Sequence, residues 1–193
     1  MHMPSAHFEL LVRYPKTLPD DDLREFVDVV AREHISLKVD REGGGAQAGV
    51  EWLLPTTVAV IFAFASKAYL DGFMKEAGKD HYQALKKAIG RLGTRFTKAP
   101  TILAASGSKK LAPHDRYSPV FSLMVRGQSG LIKLLVPNRA SQEELETAAF
   151  AFLKLIEALD SDQPPKLRVH GGVAIVTYDA TTGKLRPVDL DEI

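Results

Sequence analysis

The longest apolar stretch of the chain lies between Val50 and Leu70 and reads VEWLLPTTVAVIFAFASKAYL. Between Glu51 and Lys67 it holds 15 residues without a charge, whereas a membrane-spanning helix needs about 20 mostly apolar residues. Pro55 suits the first turn of a helix, because its missing N–H would have no helical partner there. We therefore predict that residues 53–70 form a helix buried against a sheet, with a membrane-inserting or interfacial helix as the alternative.

A strongly basic segment follows this apolar stretch. Residues 75–110 contain nine lysine and arginine residues and two acidic residues, a net charge of +7, although the whole chain carries only +1. Apolar residues recur at helical spacing over residues 79–96, which predicts an amphipathic helix. Four cations opposite this apolar stripe are predicted to be exposed and are the candidate binding residues: Lys86, Lys87, Arg91 and Arg95. The alternative is a helix face that is merely solvated.

The N-terminal part of the chain predicts a strand, a helix and a second strand. Apolar and polar residues alternate over residues 7–14 and again over residues 35–40, as they do in half-buried strands. Between them, residues 20–33 have helical spacing, and the three aspartates at their start suit the positive end of a helix dipole.

The C-terminal part predicts two hairpins separated by a helix. Ser141 and Glu144 have the spacing of a capping box and precede a long apolar stripe, which predicts a helix that begins at Ser141. Each hairpin is predicted from two apolar segments that flank a short loop containing glycine. The segments are residues 120–125 with 131–136, and residues 173–178 with 184–188.

These elements predict an α+β fold. We expect a mixed or mostly antiparallel sheet of about six strands, built from two β-α-β-like halves, with a helical hairpin inserted at about residues 50–98. A chain of 193 residues is long enough for one well-buried core and short for two. A single domain over residues 3–193 is therefore predicted.

No metal, cofactor or catalytic site is predicted. The chain has no cysteine, and its six histidines lack the spacings that bring two imidazoles to one metal ion. The glycines at positions 43–45 and 49 are not followed by Gly-Lys-Ser/Thr and do not fit the G-x-G-x-x-G motif, so they do not predict a phosphate-binding loop. The serines at 106 and 108, near His114, lack the G-x-S-x-G nucleophile elbow of hydrolases. Nucleic-acid binding is not expected either, because no recognition motif accompanies the basic segment.

The function expected from these patterns is binding rather than catalysis. The N-terminus does not resemble a secretory signal, so we expect a cytoplasmic protein, with membrane association as the alternative. We predict a non-enzymatic binding or regulatory protein of bacterial type, of which a toxin-neutralising or immunity protein is one form, acting through a protein partner. The alternatives are a peripheral membrane protein that docks through residues 50–98 on anionic lipid, and a small enzyme with an unrecognised site. The oligomeric state is left open.

Overall fold

The computed structural model describes residues 9–14, 16, 18–32, 36–41, 58–63, 78–98, 116–127, 130–159 and 167–189. Within these ranges the chain forms helices and strands in the order β1 (Glu9–Arg13), α1 (Asp20–Arg32), β2 (Ser36–Asp40), β3 (Val58–Ala63), α2 (Gly78–Lys98), β4 (Tyr117–Gly127), β5 (Gly130–Pro137), α3 (Gln142–Leu159), β6 (Val169–His170), β7 (Val173–Asp179) and β8 (Lys184–Pro187). The predicted strands and helices at both ends of the chain are confirmed.

The described strands form one mixed sheet in the order β2-β1-β3-β4-β5-β7-β6. Three neighbouring pairs are parallel, β1 with β2, β3 with β4, and β5 with β7, and the other pairs are antiparallel. β6 and β8 pair with different parts of β7, on the edge that faces away from β5. The α+β class is thus confirmed, with eight strands among the described residues in place of about six.

The apolar segment contains a strand where the sequence predicted a helix. Residues 58–63 form β3, which pairs antiparallel with β1 and parallel with β4. The prediction is therefore wrong for this stretch, while residues 53–57 and 64–70 lie outside the described residues. Val58, Ala59 and Val60 are all fully buried, so successive residues are covered on both faces of the sheet. A strand in such a position has no polar alternation that distinguishes it from a buried helix.

The three described helices pack on one face of the sheet, and their apolar stripes and alternate strand residues share one core. Two aromatic pairs connect the layers. The ring of Tyr14, directly after β1, meets that of Phe96 on α2 edge-on at a centroid distance of 5.7 Å. The ring of Phe62 on β3 lies 6.3 Å from that of Phe152 on α3. The strand residues in this core are Leu10, Val12, Val58, Val60, Phe62, Val120, Phe121, Leu123, Val125, Ile132, Leu134, Val136, Ala174 and Val176, and Tyr14 follows β1 directly.

Two glycines allow α2 to approach α3 and the sheet closely. A Cβ atom at Gly93 would lie 2.8 Å from Cε1 of Phe121 and 3.1 Å from Cδ1 of Leu145. A Cβ atom at Gly90 would lie 2.5 Å from Cγ of Glu146 on α3. Since real Cβ atoms do not make such contacts, the absence of a side chain at these positions sets how close the layers lie.

The capping box at the start of α3 is confirmed. The Ser141 hydroxyl accepts a hydrogen bond from the backbone N–H of Glu144 at 3.2 Å, and the Glu144 carboxylate accepts one from the backbone N–H of Ser141 at 2.7 Å. The bonds from the backbone and the side chain of Ser141 lower the pKa of Glu144. The stabilisation from this carboxylate is therefore complete above the ordinary glutamate pKa of about 4.3, and it is lost as the pH falls through the lowered value.

Replacing Ser141 with alanine is expected to lower the free energy of unfolding by about 1 kcal/mol at pH 7, because the N–H of Glu144 loses its acceptor. Urea denaturation of the variant and of the wild type measures the difference. Replacing the exposed Ser36 at the start of β2 with alanine provides a hydroxyl-deletion control in which no helix cap is removed. A Ser141→Ala variant as stable as the wild type would show that the cap contributes nothing.

Candidate functional site

Three of the four candidate binding residues lie in one exposed line along α2. Lys87, Arg91 and Arg95 are four residues apart, so they follow one another on the same side of the helix. All three side chains are exposed, while Leu85, Ile89 and Leu92 of the same helix are buried in the core. We call Lys87, Arg91 and Arg95 the basic line of α2.

Lys86 does not belong to this line, and the prediction that it is exposed is wrong. Its side chain is 22% exposed and lies between α2 and α3, with its Nζ 4.0 Å from Oε2 of Glu146. The Gln142 amide donates a hydrogen bond to the other carboxylate oxygen of Glu146 at 2.8 Å. One residue along a helix is a rotation of about 100°, which places Lys86 on the α3 side while Lys87 faces solvent. Lys86 thus belongs to the packing of the two helices.

Glu25 on α1 binds both arginines of the basic line. Arg91 Nη1 donates a hydrogen bond to Oε1 of Glu25 at 2.7 Å, and Arg95 Nη2 donates one to Oε2 at the same distance. The two guanidinium groups therefore each hold one oxygen of a single carboxylate. Arg91, Arg95 and Glu25 are 52%, 41% and 40% exposed, so this ion-pair cluster lies at the surface and in contact with water.

The two arginines outnumber the one carboxylate that they share. Arg95 makes a further interaction besides its bond to Glu25, and no ion pair of Lys87 occurs within the described residues. On the side of α2 toward α1, a carboxylate is therefore already bound between two surface guanidinium groups.

A shallow groove runs beneath the Glu25 cluster, between α1 and α2. Phe26, Val29, Ala88 and Leu92 form its apolar part, and Glu25, Arg91 and Arg95 complete the lining. Its free space of about 10 Å³ admits one water molecule. The groove is therefore too small for an organic ligand. The part of this site that a ligand can reach is the charged cluster of Glu25, Arg91 and Arg95.

The described residues contain no cluster of metal-ligating side chains. No group of three or more histidine, aspartate or glutamate side chains among them could hold a metal ion. The serines at 106 and 108, His114 and the glycines at 43–45 and 49 lie outside the described part of the chain. His170 Nε2 is buried and has no hydrogen-bond partner among the described residues, and His170 does not line the groove between α1 and α2.

Sequence reasoning missed one buried cation on the other face of the sheet. Lys133 on β5 is 4% exposed, and its register neighbours on that face are Met124 on β4 and Ile175 on β7. The alternation of β5 could have revealed it, since Lys133 shares a face with Leu131 and Leu135.

Sequence reasoning also missed Glu25 as a member of the site. The residues around Glu25 on α1 do not indicate its partners, because Arg91 and Arg95 lie 66 and 70 residues further along the chain. Only the packing of α1 beside α2 brings its carboxylate to the two arginines.

Comparisons with protein families, with curated proteins and with solved structures find no match to the chain. Among the described helices, none combines the length and the hydropathy that crossing a membrane requires.

Proposed function

We propose that this protein is a non-enzymatic binding or regulatory protein of the bacterial cytoplasm, and that it docks an acidic segment of a protein partner on the basic line of α2. A protein that neutralises a toxin by covering its surface is one form of this function. The observation that supports the proposal is the exposed Glu25 carboxylate held by Arg91 and Arg95. These two side chains are arranged to bind a carboxylate, and they do so where a partner can reach them.

The geometry favours recognition of a carboxylate through directed hydrogen bonds over a non-directional attraction between charges. Guanidinium groups bind carboxylates through directed, charge-assisted N–H···O bonds, and two of them here converge on the two oxygens of one group. Lys87, with no ion pair among the described residues, adds a cation one helical turn away for a second acidic side chain. Such a surface increases the association rate and the selectivity for acidic partners.

Reversing the charge of the basic line is expected to abolish partner capture. The variant Lys87→Glu/Arg91→Glu should recover at least about 10-fold less partner from a lysate of the native host than the wild type, because two attractive contacts become repulsive. Its free energy of unfolding should change by about 1 kcal/mol or less, since exposed ion pairs contribute little to stability. Affinity capture with mass spectrometry, repeated at low and high salt, measures the recovery.

The matched control is Lys38→Glu/Lys184→Glu, which changes the net charge equally. Lys38 is an exposed residue of β2, between two residues that pack on the helix side, and Lys184 is an exposed residue of β8. This control should capture the partner as the wild type does. Equal capture by the reversed variant, with an unchanged salt dependence, would exclude the basic line. Binding to phosphatidylserine vesicles without any captured protein would favour a membrane surface instead.

A further inference from the structure

We propose that Glu25 is an internal competitor that occupies the carboxylate site of Arg91 and Arg95 until an acidic partner displaces it. This inference rests on the proposed function, because it concerns the same surface and the same class of partner. In the structure, the Glu25 carboxylate accepts one hydrogen bond from each of the two arginines. A partner carboxylate can bridge the same two N–H groups only when the Glu25 side chain leaves them.

The exposure of the cluster makes this exchange feasible. Glu25 is 40% exposed, and an ion pair in contact with water is weak, because solvent and salt screen it. The carboxylate is carried on a side chain that rotates without a change in the α1 backbone. Exchange of one carboxylate for another therefore needs no unfolding and no movement of the two helices.

The groove beneath the cluster shows that charge, and not apolar contact, drives this exchange. Glu25 lines the groove together with Phe26, Val29 and Leu92, and in this position it leaves space for one water molecule. Phe26 and Leu92 are each only 2% exposed, so the groove offers an incoming ligand little apolar surface. The two arginines are therefore the groups that an acidic partner binds.

The size of the competition follows from the strength of the pairs. Two exposed ion pairs of ordinary strength favour the state in which Glu25 is bound to the arginines over the state in which it is not, by roughly 3- to 10-fold. They weaken the apparent affinity for a competing carboxylate by the same factor. Removing the charge of Glu25 should restore that affinity.

The experiment measures binding of a fluorescein-labelled octaglutamate peptide by fluorescence anisotropy. The proteins are the full-length wild type, Glu25→Gln, Asp28→Asn and Lys87→Glu/Arg91→Glu. Asp28 is exposed on the same helix, about one turn beyond Glu25, and forms none of the ion pairs of this cluster. Its variant has the same gain in net charge as Glu25→Gln and leaves the arginine cluster unchanged. Melting curves of all four proteins verify that each is folded.

We expect Glu25→Gln to bind the peptide about 3- to 10-fold more tightly than Asp28→Asn does, and the charge-reversed variant to bind it most weakly. An equal gain in Glu25→Gln and Asp28→Asn would overturn the competitor role, because net charge alone would explain it. Weaker binding by Glu25→Gln would also overturn it, since Glu25 would then position the arginines for the partner. Peptide binding that is insensitive to Lys87→Glu/Arg91→Glu, or absent in every variant, would contradict the proposed function itself.

Discussion

Replacing Phe62 with alanine is expected to lower the free energy of unfolding by about 3 to 5 kcal/mol, the largest effect of any change considered for this protein. Phe62 is fully buried in β3, between Leu10 of β1 and Val125 of β4 in the sheet register. Its ring also packs on Phe152 of α3. Truncation would leave a cavity between the sheet and the helices, which surrounding side chains fill only in part. Thermal denaturation should show a melting temperature lower by about 10 °C.

Two further variants make this test specific. Ile61→Ala removes a partly buried side chain from the other face of the same strand and should cost less. The double variant Phe62→Ala/Phe152→Ala should lose less than the sum of the two single changes, by about 0.5 to 1.5 kcal/mol, because the aromatic pair is counted in both. A loss below about 1 kcal/mol for Phe62→Ala would mean that this side chain is not part of the core.

Replacing Gly93 with leucine is expected to destabilise the protein by about 1 to 2 kcal/mol. The new side chain must enter the space where the ring of Phe121 and the side chain of Leu145 already lie within 2.8 to 3.1 Å of its Cβ position. Overpacking of this kind costs about 1 to 3 kcal/mol and occasionally more, and the higher helix propensity of leucine returns only about 1 kcal/mol. Chemical denaturation measures the difference.

The control for this change is Gln83→Leu, which places the same side chain on an exposed position of the same helix. It should alter the free energy of unfolding by no more than about 0.5 kcal/mol. If Gly93→Leu proved as stable as the wild type, α2 would have to be able to move away from α3 and β4 without loss, contrary to the close contact in the structure.

The elements at both ends of the chain were predictable because their signals are local. Residues 20–33 and the stripe after Ser141 combine helical spacing with charges or caps at their first turn, and the structure has helices at both places. The β4–β5 and β7–β8 hairpins were predictable for a similar reason, since a short turn between two apolar segments leaves few other arrangements.

β3 was not predictable in the same way. Val58–Ala63 lies between β1 and β4, and residues on both faces of this strand are covered. The segment therefore does not alternate between apolar and polar residues. An apolar run of this kind fits a buried helix and a central strand equally well. The choice between them depends on strand partners that lie far away in the chain, and those partners also join the two halves into one sheet.

For the candidate site, the sequence alone determined that α2 is amphipathic and that Lys87, Arg91 and Arg95 lie on its polar side, because helical periodicity orders residues four positions apart along one line. The tertiary structure decided the rest. Packing of α2 against α3 half-buries Lys86 and gives it Glu146 as a partner, and packing against α1 brings Glu25 to the two arginines. Ion pairs between residues more than 60 positions apart depend on how the helices are arranged on the sheet, and no local pattern encodes that arrangement.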